Sequence, residues 1–359
     1  MINWVKPTSP RKLLIVALCL ALAGVYLVES TVVKVKHPHF PEQVAAAKLM
    51  QEALDVLKQT RQELGIPINK ELDPNETGII GETFTAITSS QGNLEAKRTS
   101  TNPAFAALLV RLFHEAGLEK GDVVAIGASG SFPGLILATL AACEALELQP
   151  LVVYSVGSSM YGANLPEFTF IHMLAYLREQ GILPYELLAV SLGGDNDRGE
   201  GMFFPESQDL MLEIAQSAGL PIIFAENTGA SIAHRLELYK KANHDQPPSC
   251  FVNVGGATPN YGNTNASLNF PNGLVLSSSI RTADPERGLI FEYLEQGVPV
   301  IHLLNIRDLA LKSGITIDPV PFPPIGTEDV YFQTQHNKYL IWIIFALVAG
   351  ALFLGKEYK

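Results

Sequence analysis

Apolar residues recur along the chain in two rhythms. Between Pro41 and Leu64, Val44, Ala47, Leu54, Leu57 and Leu64 return at helical spacing, with charged residues mostly between them. This predicts a helix leading into the main domain. Asp73-Pro74-Asn75 then marks a turn, and Phe84–Thr88 reads as a short strand. Leu94–Asn102 is polar and carries Lys97 and Arg98. Asn102-Pro103 reads as a cap with proline in the first turn of a helix over 104–116. From Gly121 short apolar runs alternate with amphipathic stretches. Strands are expected at 122–127, 151–156, 186–192, 221–225, 250–254 and 298–303, and helices at 134–148, 168–180, 207–218, 229–242, 284–296 and 305–313. Nearly continuous apolar strands alternating with helices predict an α/β fold, a doubly wound, mostly parallel sheet with helices on both faces.

Two uncharged apolar runs flank this pattern, Leu13–Val28 and Tyr339–Gly355. A helix spanning a bilayer needs about 20 mostly apolar residues, with a lower limit of about 17. Both runs are read as transmembrane helices, with Trp, Tyr and Lys at their ends as interfacial anchors. Ala21-Leu22-Ala23 leaves a cleaved signal peptide as the alternative for the first. Lys6, Arg11 and Lys12 before the first run and Lys356 and Lys359 after the second place both ends in the cytoplasm and the middle outside it. The expected organisation is a tail (1–12), a transmembrane helix or signal anchor (13–28), a helical stalk and start of the ectodomain (29–120), the α/β domain (121–316), a Pro-rich linker (317–338), a second transmembrane helix (339–355) and a tail (356–359).

The chain of 359 residues is 47% hydrophobic and only 17% charged, with a net charge of −11. That composition excludes a disordered chain, and the acidic balance excludes a nucleic-acid partner. Residues 37–337 hold 17 Lys and Arg against 34 Asp and Glu, a net −17. Such a domain repels polyanions on average, though a local pocket can still hold an anion. Cys143 and Cys250 read as buried thiols, with a bridge between them as the alternative.

Ligands of open parallel sheets bind beyond the carboxyl ends of the strands, and those ends are distinctive here. The first carries Gly127-Ala128-Ser129-Gly130-Ser131-Phe132-Pro133-Gly134, a small-residue turn from strand into helix. Three readings stay open for it: a loop for a carboxylate or phosphate, a structural turn, or a near miss to the nucleophile elbow with Ser129 as nucleophile. In the last case Asp195 and His234 or His302 complete the set. Ser158, Ser159 and Asn164 follow the second strand. Asp195, Asp197 and Glu200 follow the third and are weak candidates for a hard cation. Asn227 and Asn253, with Gly255 and Gly256 and the run to Asn263, close the other ends. With Ser129, Gly130 and Ser131 these form the expected ligand-binding set, made of hydroxyls, amides and small residues. No motif calls for a cofactor.

The strings Leu94–Pro103 (LEAKRTSTNP), Gly127–Gly134 (GASGSFPG), Ser158–Phe170 (SSMYGANLPEFTF) and Gly193–Gly201 (GGDNDRGEG) together resemble the bacterial poly-gamma-glutamate system protein family. The resemblance runs over essentially the whole chain. It implies a membrane-bound accessory factor of capsule-type polymer synthesis or export. The implied partners are the ligase and membrane subunits of a poly-gamma-glutamate synthase. It assigns no catalytic residue. Two other functions remain open: a serine-dependent hydrolase or transferase acting on gamma-glutamyl or related amide bonds, and a non-catalytic membrane scaffold. Because the domain is acidic, three arrangements stay open: it touches only a polymer end in a local pocket, it contacts protein partners, or cations bridge the charges; Lys97 and Arg98 are the nearest basic anchor, with a solvated loop as the alternative.

Overall fold

The computed structural model describes residues 11–262, 269–277 and 287–357. In chain order, α1 (Arg11–Ser30) and β1 (Val33–Lys36) precede α2 (Phe40–Glu63), α3 (Leu94–Ser100) and α4 (Ala104–Glu115). Then come β2 (Val123–Ser129), α5 (Pro133–Ala145), β3 (Gln149–Ser155), α6 (Phe170–Glu179), β4 (Leu187–Ser191), α7 (Ser207–Ser217), β5 (Ile222–Ile223) and α8 (Thr228–Ala242). The chain continues through β6 (Cys250–Val254), α9 (Thr258–Tyr261), β7 (Gly273–Val275), α10 (Leu289–Glu295), β8 (Val300–Leu303), α11 (Ile306–Ser313), β9 (Phe332–Gln335) and α12 (Lys338–Glu357). Two compact units result. One contains α1, β1, β9 and α12; the other is His39–Tyr331.

The larger unit is an α/β layer structure. Its seven strands lie in the order β5-β4-β3-β2-β6-β8-β7, all parallel except β7, which runs antiparallel to β8. Side chains alternate between the two faces of a strand. Ala125, Val153, Ala189, Phe251 and Val300 share one core with Ile232 and Tyr239 of α8 and with Leu289, Phe291 and Tyr293 of α10. The intervening Val124 and Ile126 are also fully buried, so both faces are covered. This explains why the strands read as continuous apolar runs.

Several expectations change in detail. The polar segment 94–102 is largely helical: Leu94–Ser100 forms α3, capped by Asn93, whose Oδ1 accepts the Ala96 N–H at 2.8 Å. Phe84–Thr88 is not a strand; only Thr88 bridges to Ser158. The helix after the turn at Gly288 is α10, and the expected start at 284–286 lies outside the described residues. α2 is not a free stalk. Ala46, Ala47, Met50, Ala53, Leu54 and Leu57 are buried, and α2 packs on α4 and α5. Its small residues form a wider stripe than the leucine spacing indicated. The Pro-rich segment is tied to the domain by Asp318, which pairs with Arg98, and by Glu328, which accepts from Asn102.

In the smaller unit, β1 and β9 form an antiparallel ribbon and α1 packs against α12. Leu13–Ser30 is long and apolar enough to cross a membrane or to serve as a signal sequence. α12 is also apolar, but its apolar stretch, Lys338–Phe353, is shorter than that criterion requires. Among the described residues α1 alone meets it.

A buried ion pair fixes the strand ends of the larger unit. Asp197 Oδ2 accepts from Arg235 Nη1 at 2.9 Å and from Ser231 Oγ at 2.7 Å, while its Oδ1 accepts from Ser191 Oγ at 2.8 Å. Arg235 also reaches Ser191 and Ser155, the last residues of β4 and β3. Both partners are 1% exposed, so neither charge is satisfied by water. Removing one charge from such a pair costs about 3–5 kcal/mol. Asp197→Asn is therefore expected to lower the stability of the domain by about that amount, read by urea denaturation. A loss below about 1 kcal/mol would contradict the clamp.

Candidate functional site

The chain runs outward from β2 to β5 on one side and then resumes at β6 on the other side of β2. The loops leaving β2 and β6 therefore diverge, which is where open sheets bind ligands. A cleft of about 350 Å³ opens at this point. Ser129, Ser131 and Phe132 enter it from β2, and Ser155, Gly157 and Ser159 from β3. Gly193, Gly194 and Asp195 come from β4, and Gly256, Thr258 and Tyr261 from β6. Ser89–Asn93 and Lys97 of α3 complete the wall.

Of the expected catalytic set, Ser129 and Asp195 reach this cleft. His234 does not: it is exposed on α8 and absent from the lining. Its helical position faces water because the buried stripe of α8 runs through Ile232, Arg235 and Tyr239. His302 is buried in β8, where its Nδ1 lies 2.9 Å from Asn253 Nδ2. Burial holds its pKa down to about 4, so it is neutral and engaged inside the sheet. The Ser129–Asp195–His triad is thus not assembled.

The ligand set divides similarly. Ser129, Ser131, Ser159 and Gly256 line the cleft. Asn164 is fully buried, and holds the 82–88 segment through bonds with the Glu82 backbone and Thr88 Oγ1. Asn227 is an exposed cap of α8, its Oδ1 accepting the Ala230 N–H. Asn253 turns its amide to Gly255 O and His302. Ser158 donates to Gly130 O at 2.9 Å. A Cβ at Gly130 would lie 2.9 Å from both the Tyr154 hydroxyl and Val156 O, so glycine is needed for that close approach. Gly255 adopts φ +80°, where a Cβ would also press on Ser129 Oγ at 3.0 Å.

The Gly127–Gly134 loop does not offer its amides to an anion. The Gly130 N–H donates to Ser155 O, the Ser131 N–H to Ser129 Oγ, and the Phe132 N–H to Ser129 O. Ser129 accordingly closes the turn. The cation candidates fail for a similar reason: Asp197 is clamped by Arg235, and Glu200 pairs with Arg198 at 3.1 Å. Cys143 and Cys250 are buried free thiols, both pushed up by burial.

The charged group that dominates the cleft is Lys97. It is 2% exposed, yet no carboxylate among the described residues pairs with it. Its ammonium donates to Ser131 O, lies 2.7 Å from Ser159 Oγ, and sits 3.9 Å from the centre of the Phe132 ring. Burial without a counter-charge disfavours the cation and pulls its pKa down from 10.5 to about 7. At neutral pH the amine is therefore divided between two forms. The ammonium can receive an anion; the neutral amine can take the proton of Ser159. Sequence reasoning named Lys97 only as a basic anchor, because nothing in LEAKRTS tells a buried lysine from a solvated one. Its neighbour Arg98 points elsewhere and is engaged by Asp318. Asp195 adds one carboxylate to the same cleft, and with burial it raises the pKa of Tyr261.

Comparison with family models, curated proteins and solved structures gives no match.

The folded Lys97 binds a proton only below about pH 7, whereas the unfolded chain holds it to about 10.5. Between these values the unfolded state carries more protons, so this group makes stability rise with pH. Below the window the full penalty applies, on the order of 5 kcal/mol at ~1.4 kcal/mol per pKa unit. Lys97→Met is expected to raise the thermal unfolding midpoint most at about pH 6 and little at about pH 10. A gain independent of pH would contradict a buried amine that titrates near neutrality.

Proposed function

We propose that this protein is a membrane-anchored accessory factor of poly-gamma-glutamate synthesis or export, and that its cleft receives an end of the polymer. The carrying observation is the buried, unpaired Lys97 amine inside a small polar cleft. A carboxylate supplies the missing counter-charge, and a charge-assisted bond in a dry site is strong. Asp195 in the same cleft suits an ammonium. The amino-terminal end of a gamma-linked chain carries both groups on one carbon. A zwitterionic end is also accepted by a domain of net charge −17 that repels the rest of a polyanion. About 350 Å³ suits one or two residues, not a length of polymer.

Anchoring rests on the smaller unit. Leu18, Leu22 and Val25 of α1 and Trp342, Phe345 and Leu347 of α12 are exposed, so the helix pair turns apolar surface outward. Lipid is the solvent such a surface matches. On this reading both helices cross the membrane, with the larger unit outside the cytoplasm and the synthase subunits as partners.

A second reading is favoured by the 2.7 Å contact between Lys97 Nζ and Ser159 Oγ. A serine beside a neutral lysine is an activated nucleophile. Lys97 would take the Ser159 proton as Oγ attacks an amide carbonyl carbon. The resulting ammonium would return that proton to the departing amine, leaving an ester for water to hydrolyse. This moves the candidate nucleophile from Ser129 to Ser159.

The full-length protein in detergent, mixed with short gamma-glutamate oligomers, tests both readings. Binding lost in Lys97→Met and kept in Ser159→Ala, with oligomer length unchanged, is the expected result for an accessory receptor. Shortening abolished by Ser159→Ala would move the protein to the hydrolases. No binding and no shortening, with normal polymer in a strain lacking the gene, would overturn the assignment.

A further inference from the structure

A second group of chemically active side chains lies on other elements, and the cleft does not use it. His39 stands at the N-cap of α2, Glu42 in its first turn, and His114 in the last turn of α4. The three-residue spacing of His39 and Glu42 puts both on one side of the helix start. The packing of α2 on α4 brings His114 against them. The imidazoles of His39 and His114 stack with ring centres 3.4 Å apart and planes 9° from parallel. One ligand atom from each of the three residues lies within 4.8 Å of the other two.

Two of the donors show what the arrangement lacks. Glu42 Oε2 and His114 Nε2 are shielded from solvent and have no hydrogen-bond partner among the described residues. A buried polar atom without a partner costs about 1–3 kcal/mol. Here two such atoms, one anionic and one a nitrogen ligand, lie in one cluster.

We propose that His39, Glu42 and His114 form a binding site for a divalent transition-metal cation, with zinc the best chemical match. Two imidazole nitrogens and one carboxylate oxygen are a standard zinc donor set and leave a fourth position for water or another ligand. Calcium and magnesium prefer oxygen alone, so the two histidines select against them. Bonds of about 2.0–2.2 Å require tetrahedral ligands about 3.3–3.6 Å apart. The donor atoms lie within 4.8 Å of one another, and binding would draw them to that spacing. The bound ion would satisfy both orphaned atoms and tie the start of α2 to the end of α4. The site is separate from Lys97 and does not depend on the proposed function.

The test uses the full-length protein in detergent, stripped with a chelator and titrated with Zn²⁺ while bound metal is counted. Uptake of a single equivalent is expected, with a rise in the thermal unfolding midpoint. Co²⁺ in its place should give the intense visible absorption of a tetrahedral site. His114→Ala and Glu42→Gln should each lower zinc affinity by about tenfold or more, since even an outer-shell partner of a metal ligand contributes that much. Glu42→Gln keeps the shape of the site and carries the test if His114→Ala does not fold. No uptake by the stripped protein, or uptake that the folded variants retain, would overturn the proposal.

Discussion

The reversal of strand order at the centre of the sheet governs where chemistry can occur in this protein. β2 is paired with β3 on one side and β6 on the other, although three parallel strands separate β2 from β6 in the sequence. The chain leaves β2 in one direction and returns in the other, so no crossover covers the space between the two loops. The small-residue ends of β2, β3, β4 and β6 then fall around a single opening. The Asp197–Arg235 pair keeps that opening in shape by joining the ends of β3 and β4 to α8.

Into this opening α3 inserts one cation. The placement of Lys97 is electrostatically unfavourable, because burial removes its hydration and no carboxylate among the described residues replaces it. A lysine of this kind persists where its altered acidity or its unfilled charge has a use. Both uses are consistent with the surroundings. Ser159 and the Ser131 carbonyl orient the amine, and the Phe132 ring stabilises its charged form without neutralising it. The hydroxyls of Ser129 and Ser158 make bonds within the loops that shape the cleft.

The sheet was legible because buried parallel strands such as Val123–Ser129 and Cys250–Val254 are short and mostly apolar. The antiparallel β7 was not, since Gly273–Val275 is three residues long and gives no periodic signal. The location of the cleft followed from the small-residue strand ends. Its chemistry did not. Asp197 and Asp195 look alike in GGDNDRGEG, yet one is locked in an ion pair and the other faces the cleft, a difference made by Arg235 from 38 residues away. Asn164 and Asn227 are polar and well placed in the sequence, but satisfy local backbone instead. Lys97 lies in a stretch whose composition is polar, and only tertiary packing buries it.

Lys97 is a buried amine poised between its two charge states. The most direct measurement is an NMR titration of the full-length protein labelled with ¹⁵N or ¹³C in lysine side chains, with Lys97→Met assigning the resonance. The account predicts a midpoint of about 7, well separated from the other lysines. A Lys97 resonance that keeps its proton to about pH 10.5, as a solvated lysine does, would contradict it.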